Sequence, residues 1–352
     1  SNPTSGNAMD WTDTNQWNQA ADGSGTAGNP DSTDDKAVIQ NGDTVTLDTN
    51  VTTGQCSVES GGTLTGNTSY SLTLAGSDQD NNFNNSGTIT NLNLIMTGIR
   101  ASGDRSIIDS GSGIRDLTIN DTTNSGNNVH KLGNNLSISG NLTITSGTFS
   151  TVTPAGSSVS LTVTGQVTGA GTLTGNTSAI LMGYFGMTGT YNATNGTTTI
   201  NSRNGSGYRM SCGVGDIVHN NGTFKFDTTG GGNSNFILTG TSDGTNGIYD
   251  LEIDTGNTVT IENNALSIHR NLTITSGTLN TNGSSNYGLT VTGDVSVTGT
   301  LTGNASAISM GSLTIASGGT YNATSGTTTI TDESSGNYAF ENQGTFTHNN
   351  GK

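Results

Sequence analysis

The sequence predicts an all-β chain wound as a parallel β-solenoid, a right-handed β-helix of about 20-residue coils behind an N-terminal cap. Three observations lead there. First, short Val/Ile/Leu/Thr runs alternate with Gly, Asn and Ser throughout, and helix formers are scarce. Second, strand positions recur on a short beat: Leu266, Leu289, Ile308 and Thr329 follow one another at nearly even steps. Third, long blocks recur far downstream. NLTITSGT stands at 141–148 and again at 271–278, GTLTGNTSAI (171–180) answers GTLTGNASAI (299–308), and YNATNGTTTI (191–200) answers YNATSGTTTI (321–330). Strands too short for a hairpin sheet, on a beat of about 20, are the mark of stacked coils. A hairpin-built sandwich needs longer strands and has no such beat.

Taken in order, residues 1–35 form a cap or entry segment. They hold both tryptophans, Trp11 and Trp17, with Pro30 and an Asp cluster. A solenoid must cover its first rung or leave an open β edge, so the indoles are expected over the first coil. The solenoid then runs over 36–352. A partial unit marked by GTLTGN (62–67) precedes two long repeats, at about 90–219 and 220–348. Corners need left-handed backbone, which places Gly and Asn there, and stacked Asn at equivalent corners can ladder along the axis. The chain opens on Ser1, so either a processed start, or a partly non-native stretch Ser1–Ala8 with the native start at Met9, is expected. HNNG at 219–222 continues into TFKFD, whereas HNNG at 348–351 reaches Lys352 in mid-coil. Further solenoid past Lys352, or a partner in its place, is expected.

Composition narrows the function classes. Ten basic and 26 acidic residues give a net charge of −16, with no basic patch, so a nucleic-acid partner is not expected. No run is long enough for a membrane-spanning helix, and no membrane insertion is expected. Hydrophobic content of 29% suits a thin core, because a coil needs few inward residues. Cys56 and Cys212 belong to no CxxC pair, which speaks against a thiolate zinc site, and the sequence leaves open whether they pair.

The entry W…NQW…P.S.DD.AVI…G.TVTLD over 11–66, followed by the SGGTLTG and NLTITSGT repeats, resembles β-helical surface proteins of marine phage tail fibres and bacterial adhesins. The resemblance implies an extracellular, cell-surface or virion-surface location and an oligomeric fibre.

β-Helices also include polysaccharide lyases and hydrolases, whose sites need clustered carboxylates. The best cluster is Asp104, Arg105, Asp109, Arg115 and Asp116. Asp116 has a copy at Asp250 in the same GI.DL setting, and a copied residue is expected to hold a turn. His219 and His348 are also copies, inside HNNG. No G-x-S-x-G or HExxH is present. No catalytic residue, metal ligand or cofactor is therefore assigned. SDQDNN (77–82) and DSTDD (31–35) are loops that calcium could enter, but they match no EF-hand or nonapeptide spacing and read as solvated turns. The remaining handle is aromatic. Tyr184, Phe185, Tyr208, Tyr249 and Tyr338, with Trp11 and Trp17, are candidate ligand contacts for a cell-surface polysaccharide, against the competing reading of coil-end packing. The expected function is a non-enzymatic surface fibre that presents a recognition surface. The alternatives are a glycan-binding adhesin with contacts in the loops at 201–216 or 331–343, and a polysaccharide-degrading tailspike.

Overall fold

The computed structural model describes residues 8–18, 26–76, 81–97, 105–109, 112–121, 129–213, 216–227, 232–239, 244–332 and 338–352. Among them there is no α-helix, and the named strands pair in parallel. The chain divides into two compact units, Ser1–Ser178 and Ala179–Lys352. The division falls inside the first long repeat rather than between the two.

Both units are three-sided β-solenoids, each coil adding one rung to each side. In the first unit, one side stacks Ala8–Asp10, Thr44–Thr46, Thr63–Thr65 and Thr88–Thr90. Its inward residues form a column of Met9, Val45, Leu64 and Ile89, each no more than 6% exposed. A second side runs through Leu72, Leu94, Leu117, Leu142 and Val167 in direct register. In the second unit, Phe224, Leu251, Leu272, Val295 and Leu313 make the equivalent column. Alternation along each strand sends these residues inward and their Thr, Ser and Lys neighbours outward. The coil is less even than the sequence beat suggests. Its shortest steps are like that from Ile180 to its partner Thr198, and long ones are like that from Leu313 to Phe340; Leu272 to Val295 lies between them, and the entry step from Met9 to Val45 is longer still. The excess sits at corners, where loop length is tolerated because only the strands must keep register.

The corners explain the HNNG motif. Asn220 and Asn221 have φ of 47° and 60°, and Asn350 in the second copy has 57°. The closing Gly222 lies so near the previous coil that a Cβ there would sit 1.9 Å from Thr194 O, and Gly351 repeats this at 2.0 Å from Thr324 O. The amide side chains reach back one coil, Asn220 Nδ2 donating to Ala193 O at 2.8 Å and Asn349 Nδ2 to Ala323 O at 2.6 Å.

The long repeat does not return to the same side. In the second unit, Thr190–Asn192 stacks beneath Ile217–Val218, and the same side continues through 246–248 to Leu266–Ile268. Its copy, Thr320–Asn322, instead joins the side of Thr300–Thr302 and Thr345–Thr347. The long repeat is not a whole number of coils, so equal sequences face different ways.

The two tryptophans of the entry segment lie together in the first unit. Trp11 is fully buried and Trp17 is 3% exposed, with rings 5.1 Å apart. Trp11 N donates to Thr46 O, its indole to Pro30 O, and the Trp17 indole to Trp11 O.

Shortening a core rung should cost far more than altering an outward one. Leu272→Ala is expected to lose about 2–5 kcal/mol in urea unfolding. Its outward neighbour Thr273→Ala should stay within about 0.5 kcal/mol. Equal losses would contradict the inward and outward assignment.

Candidate functional site

A polar cleft of about 510 Å³ lies in the first unit, lined by Trp17, Asn18, Asn29, Asp31, Asp34, Lys36 and Gln40 among others. Its floor is built by one carboxylate. Asp35 Oδ2 accepts the N–H groups of Asp31 and Ser32 at 3.1 and 3.0 Å, while Asp35 O accepts Gly54 N–H from the next coil. This fixes the loop and leaves Asp31 and Asp34 exposed. The result is a preformed, acceptor-rich cleft suited to hydroxyl groups. Among the described residues, no group of three or more His, Cys, Asp or Glu is placed to hold a metal ion. Residues 77–80 of the second calcium-like loop lie outside the described residues, as does Asp104. Arg105 and Asp109 lie on the strand Arg105–Asp109, described by its backbone alone.

The copied carboxylates both do scaffold work. Asp116 Oδ1 accepts Asn141 N–H at 2.8 Å, and Asp250 Oδ1 accepts Asn271 N–H at 2.9 Å. Each Asn then passes the interaction on: Asn141 Oδ1 accepts Gln166 N–H, and Asn271 Oδ1 accepts Asp294 N–H. Arg115 and Arg270 pair with these aspartates at 2.8 and 2.9 Å.

The aromatic candidates scatter. Phe185 is fully buried and packs 5.2 Å from Tyr191, and Tyr184 is 8% exposed, so burial raises its phenol pKa. Trp11 is likewise fully buried, while Trp17, 3% exposed, borders the polar cleft, so Phe185, Tyr184 and Trp11 offer little ring face to a sugar. Tyr208 and Tyr249 are half-buried, and Tyr338 is 61% exposed. Tyr249 belongs to a constellation that the sequence did not reveal. His219 stacks on it at 4.9 Å, His269 lies 5.0 Å from His219, and the Arg270 guanidinium stands over the Tyr249 ring at 5.1 Å. These residues come from successive coils, and only coil stacking brings them to one corner. His219 Nδ1 also accepts Asn221 N–H at 3.0 Å, a bond that His348 repeats to Asn350, so the copied histidines hold their turns.

Three kinds of buried polar group were also hidden in the sequence. His130 Nε2 lies 3.6 Å from Asp121 Oδ2, both in the interior. Arg209 is wholly buried and ties the strand Tyr208–Gly213 inward, donating to Ser234 Oγ and Asp227 O at 2.8 Å each. Burial lowers its pKa, Arg203 adds to this, and Asp227 opposes it. Cys56 and Cys212 are free buried thiols, and burial pushes Cys56 up to about 12 and Cys212 upward as well.

Comparison with protein-family models, with curated proteins and with solved structures gave no match.

Two outcomes follow from the networks. Asp250→Ala should lose about 1–3 kcal/mol in denaturant unfolding, because Asn271 N–H loses its acceptor. Asp250→Asn should recover most of it. On the outward face, Lys225 Nζ donates to Glu252 at 3.0 Å and Asp254 at 2.8 Å, with side chains 24–30% exposed. Hydrogen bonding to Asp254, then to Glu252, raises Lys225, and the bond from Lys225, then that from Ser276, lowers Asp254. The lowered carboxylate contributes above its unfolded pKa and fades as pH falls through the folded value. The raised ammonium contributes below its unfolded pKa and fades as pH rises through the folded value. Lys225→Met should therefore cost up to ~1 kcal/mol between roughly pH 5 and 9, and less at either extreme, in melts across pH. A pH-independent difference would exclude the ion pair as its source.

Proposed function

We propose that the chain is a non-enzymatic structural and adhesive fibre protein of a cell or virion surface, which holds a recognition surface on a rigid stack of coils. The observation that supports this most is the fate of its best carboxylates. Asp116, from the best acidic cluster, and its copy Asp250 each hold the backbone of the following coil. A general acid or nucleophile must present a free oxygen to substrate; these oxygens serve the corner and its arginine instead. The outward faces carry mostly Thr, Ser and Asn, which hydrate well and order a surface without demanding a partner.

The glycan-binding reading draws on the polar cleft at the cap. Asp31 and Asp34 offer acceptors, Asn18, Asn29 and Gln40 offer both donors and acceptors, and Lys36 stands at the edge. That mixture complements vicinal hydroxyls. It shifts the expected contacts away from the buried aromatics toward short polar side chains.

The test is incubation of the purified chain with a panel of bacterial envelope polysaccharides, read twice. Reducing-end release should stay at background, and release above it would overturn the fibre reading in favour of a tailspike. Retention on an immobilised polysaccharide should fall at least tenfold in Asp31→Ala/Asp34→Ala. Undiminished retention would remove the cleft as the contact surface.

A further inference from the structure

The turn 219–222 is fastened by a side chain that titrates. His219 Nδ1 accepts Asn221 N–H, two residues on, at 3.0 Å. Other corners make the same bond with groups that hold no proton equilibrium near neutral pH. Asn67 Oδ1 accepts Ser69 N–H at 2.7 Å, and Asn85 Oδ1 and Asn282 Oδ1 accept Gly87 N–H and Ser284 N–H at 3.0 Å each. Thr194 Oγ1 does the same for Gly196 N–H at 3.0 Å. A ring nitrogen that accepts carries no proton. The turn as folded therefore needs His219 neutral, where an Asn would make no such demand.

The surroundings favour the neutral ring too. His219 is 7% exposed, and its ring stacks on Tyr249 at 4.9 Å and lies 5.0 Å from His269. Among the described residues, the charged and titratable groups on the elements around it are Asp216, Tyr249, Asp250, His269 and Arg270. Asp216 Oδ2 accepts Gly213 N–H at 2.7 Å. Asp250 Oδ1 accepts Arg270 Nε–H and Asn271 N–H at 3.0 and 2.9 Å. Both carboxylates are thus engaged elsewhere. The preceding coil meets the turn with carbonyls: Ala193 O accepts Asn220 Nδ2 at 2.8 Å, and Gly196 O accepts Thr223 N–H at 2.9 Å. The Arg270 guanidinium already stands over the Tyr249 ring, so the ring's attraction for cations is in use. His269 Nε2 faces Asn246 O at 2.9 Å, and a carbonyl only accepts, so this nitrogen donates. His269 can take a second proton at Nδ1 and keep that bond. Acid therefore adds charge beside His219 without loosening His269.

We propose that His219 is an acid-sensitive latch on this corner: a solvent proton taken up at Nδ1 displaces Asn221 N–H, and the turn 219–222 opens away from Tyr249. Two N–H groups would otherwise face each other at 3.0 Å, so the ring and the turn cannot both stay in place. A buried imidazolium beside His269 and Arg270 adds repulsion in the same direction. Opening leaves the Tyr249 ring without the imidazole that covers it. The bond contributes above the ordinary histidine pKa, about 6.5, and is lost as pH falls below it. The latch depends on neither the polar cleft nor the fibre reading.

Hydrogen exchange of the full chain tests it, read by mass spectrometry on residues 217–224 and corrected for the intrinsic pH dependence of exchange. If the open turn binds one proton and the closed turn none, opening should rise about tenfold between pH 7.5 and 5.5. The turn held by Asn282 should show no such rise. His219→Asn supplies the acceptor used at the other corners; it should keep protection at pH 7.5 and lose the pH dependence. An unchanged opening in the parent chain overturns the proposal, as does an equal rise in His219→Asn. Nitrogen-15 spectra of the unaltered chain, labelled at histidine and asparagine, give a readout that needs no variant. Protonation of the His219 ring should coincide with loss of protection at the Asn221 amide. A ring that titrates while Asn221 stays protected overturns the latch.

Discussion

Coil-to-coil backbone pairing is the constraint on which the rest of this structure depends. A parallel strand as short as Leu72–Leu74 or Thr300–Thr302 forms no stable unit by itself. It persists because each N–H and C=O meets the coil before and the coil after. An unmet buried backbone group costs about as much as a lost hydrogen bond. The stack therefore demands that every coil return to register, whatever it does between strands. This is why the coil can lengthen, from the step between Ile180 and Thr198 to that between Leu313 and Phe340, while the inward column stays aligned.

Corner chemistry follows from that demand. A chain that turns three times per coil needs many left-handed positions, and Asn and Gly take them. The same Asn side chains then reach one coil back, so the residue that makes the turn also fastens it. Carboxylates do likewise at Asp116 and Asp250. The low charge content and high Asn, Thr and Gly content follow from corners and outward faces; they are not signs of a chain without a core. Trp11 and Trp17 are buried in the first unit, while Phe340 and Phe346 are 43% and 41% exposed in the second.

The copied motifs also show how a repeat can be structural without being a stripe. Because the long repeat and the coil are incommensurate, Thr190–Asn192 and its copy Thr320–Asn322 occupy different sides. A residue duplicated in sequence keeps its local bonds, as Asn220 and Asn349 do, but not its place around the axis. A recognition surface built on such a stack is accordingly made by what differs between copies. Tyr249, His269 and Arg270, which gather round the copied His219, are residues of this differing kind.

The sequence by itself determined the coil class, the inward residues and the corner motifs. Each of these is a local rule: alternation sets the buried face, and left-handed backbone selects Asn and Gly. It also marked Asp116, Asp250 and the HNNG histidines as scaffold, because copying is visible in one dimension. Only the tertiary structure decided which copies share a side, since that depends on loop lengths summed over whole coils. It alone buried Tyr184 and Phe185, for an aromatic in a less regular segment reads the same whether it faces out or in. It alone joined His130 to Asp121 and drew Arg209 inside. These partners are brought together by strand register and by the cross-section of the stack, which no short stretch of sequence encodes.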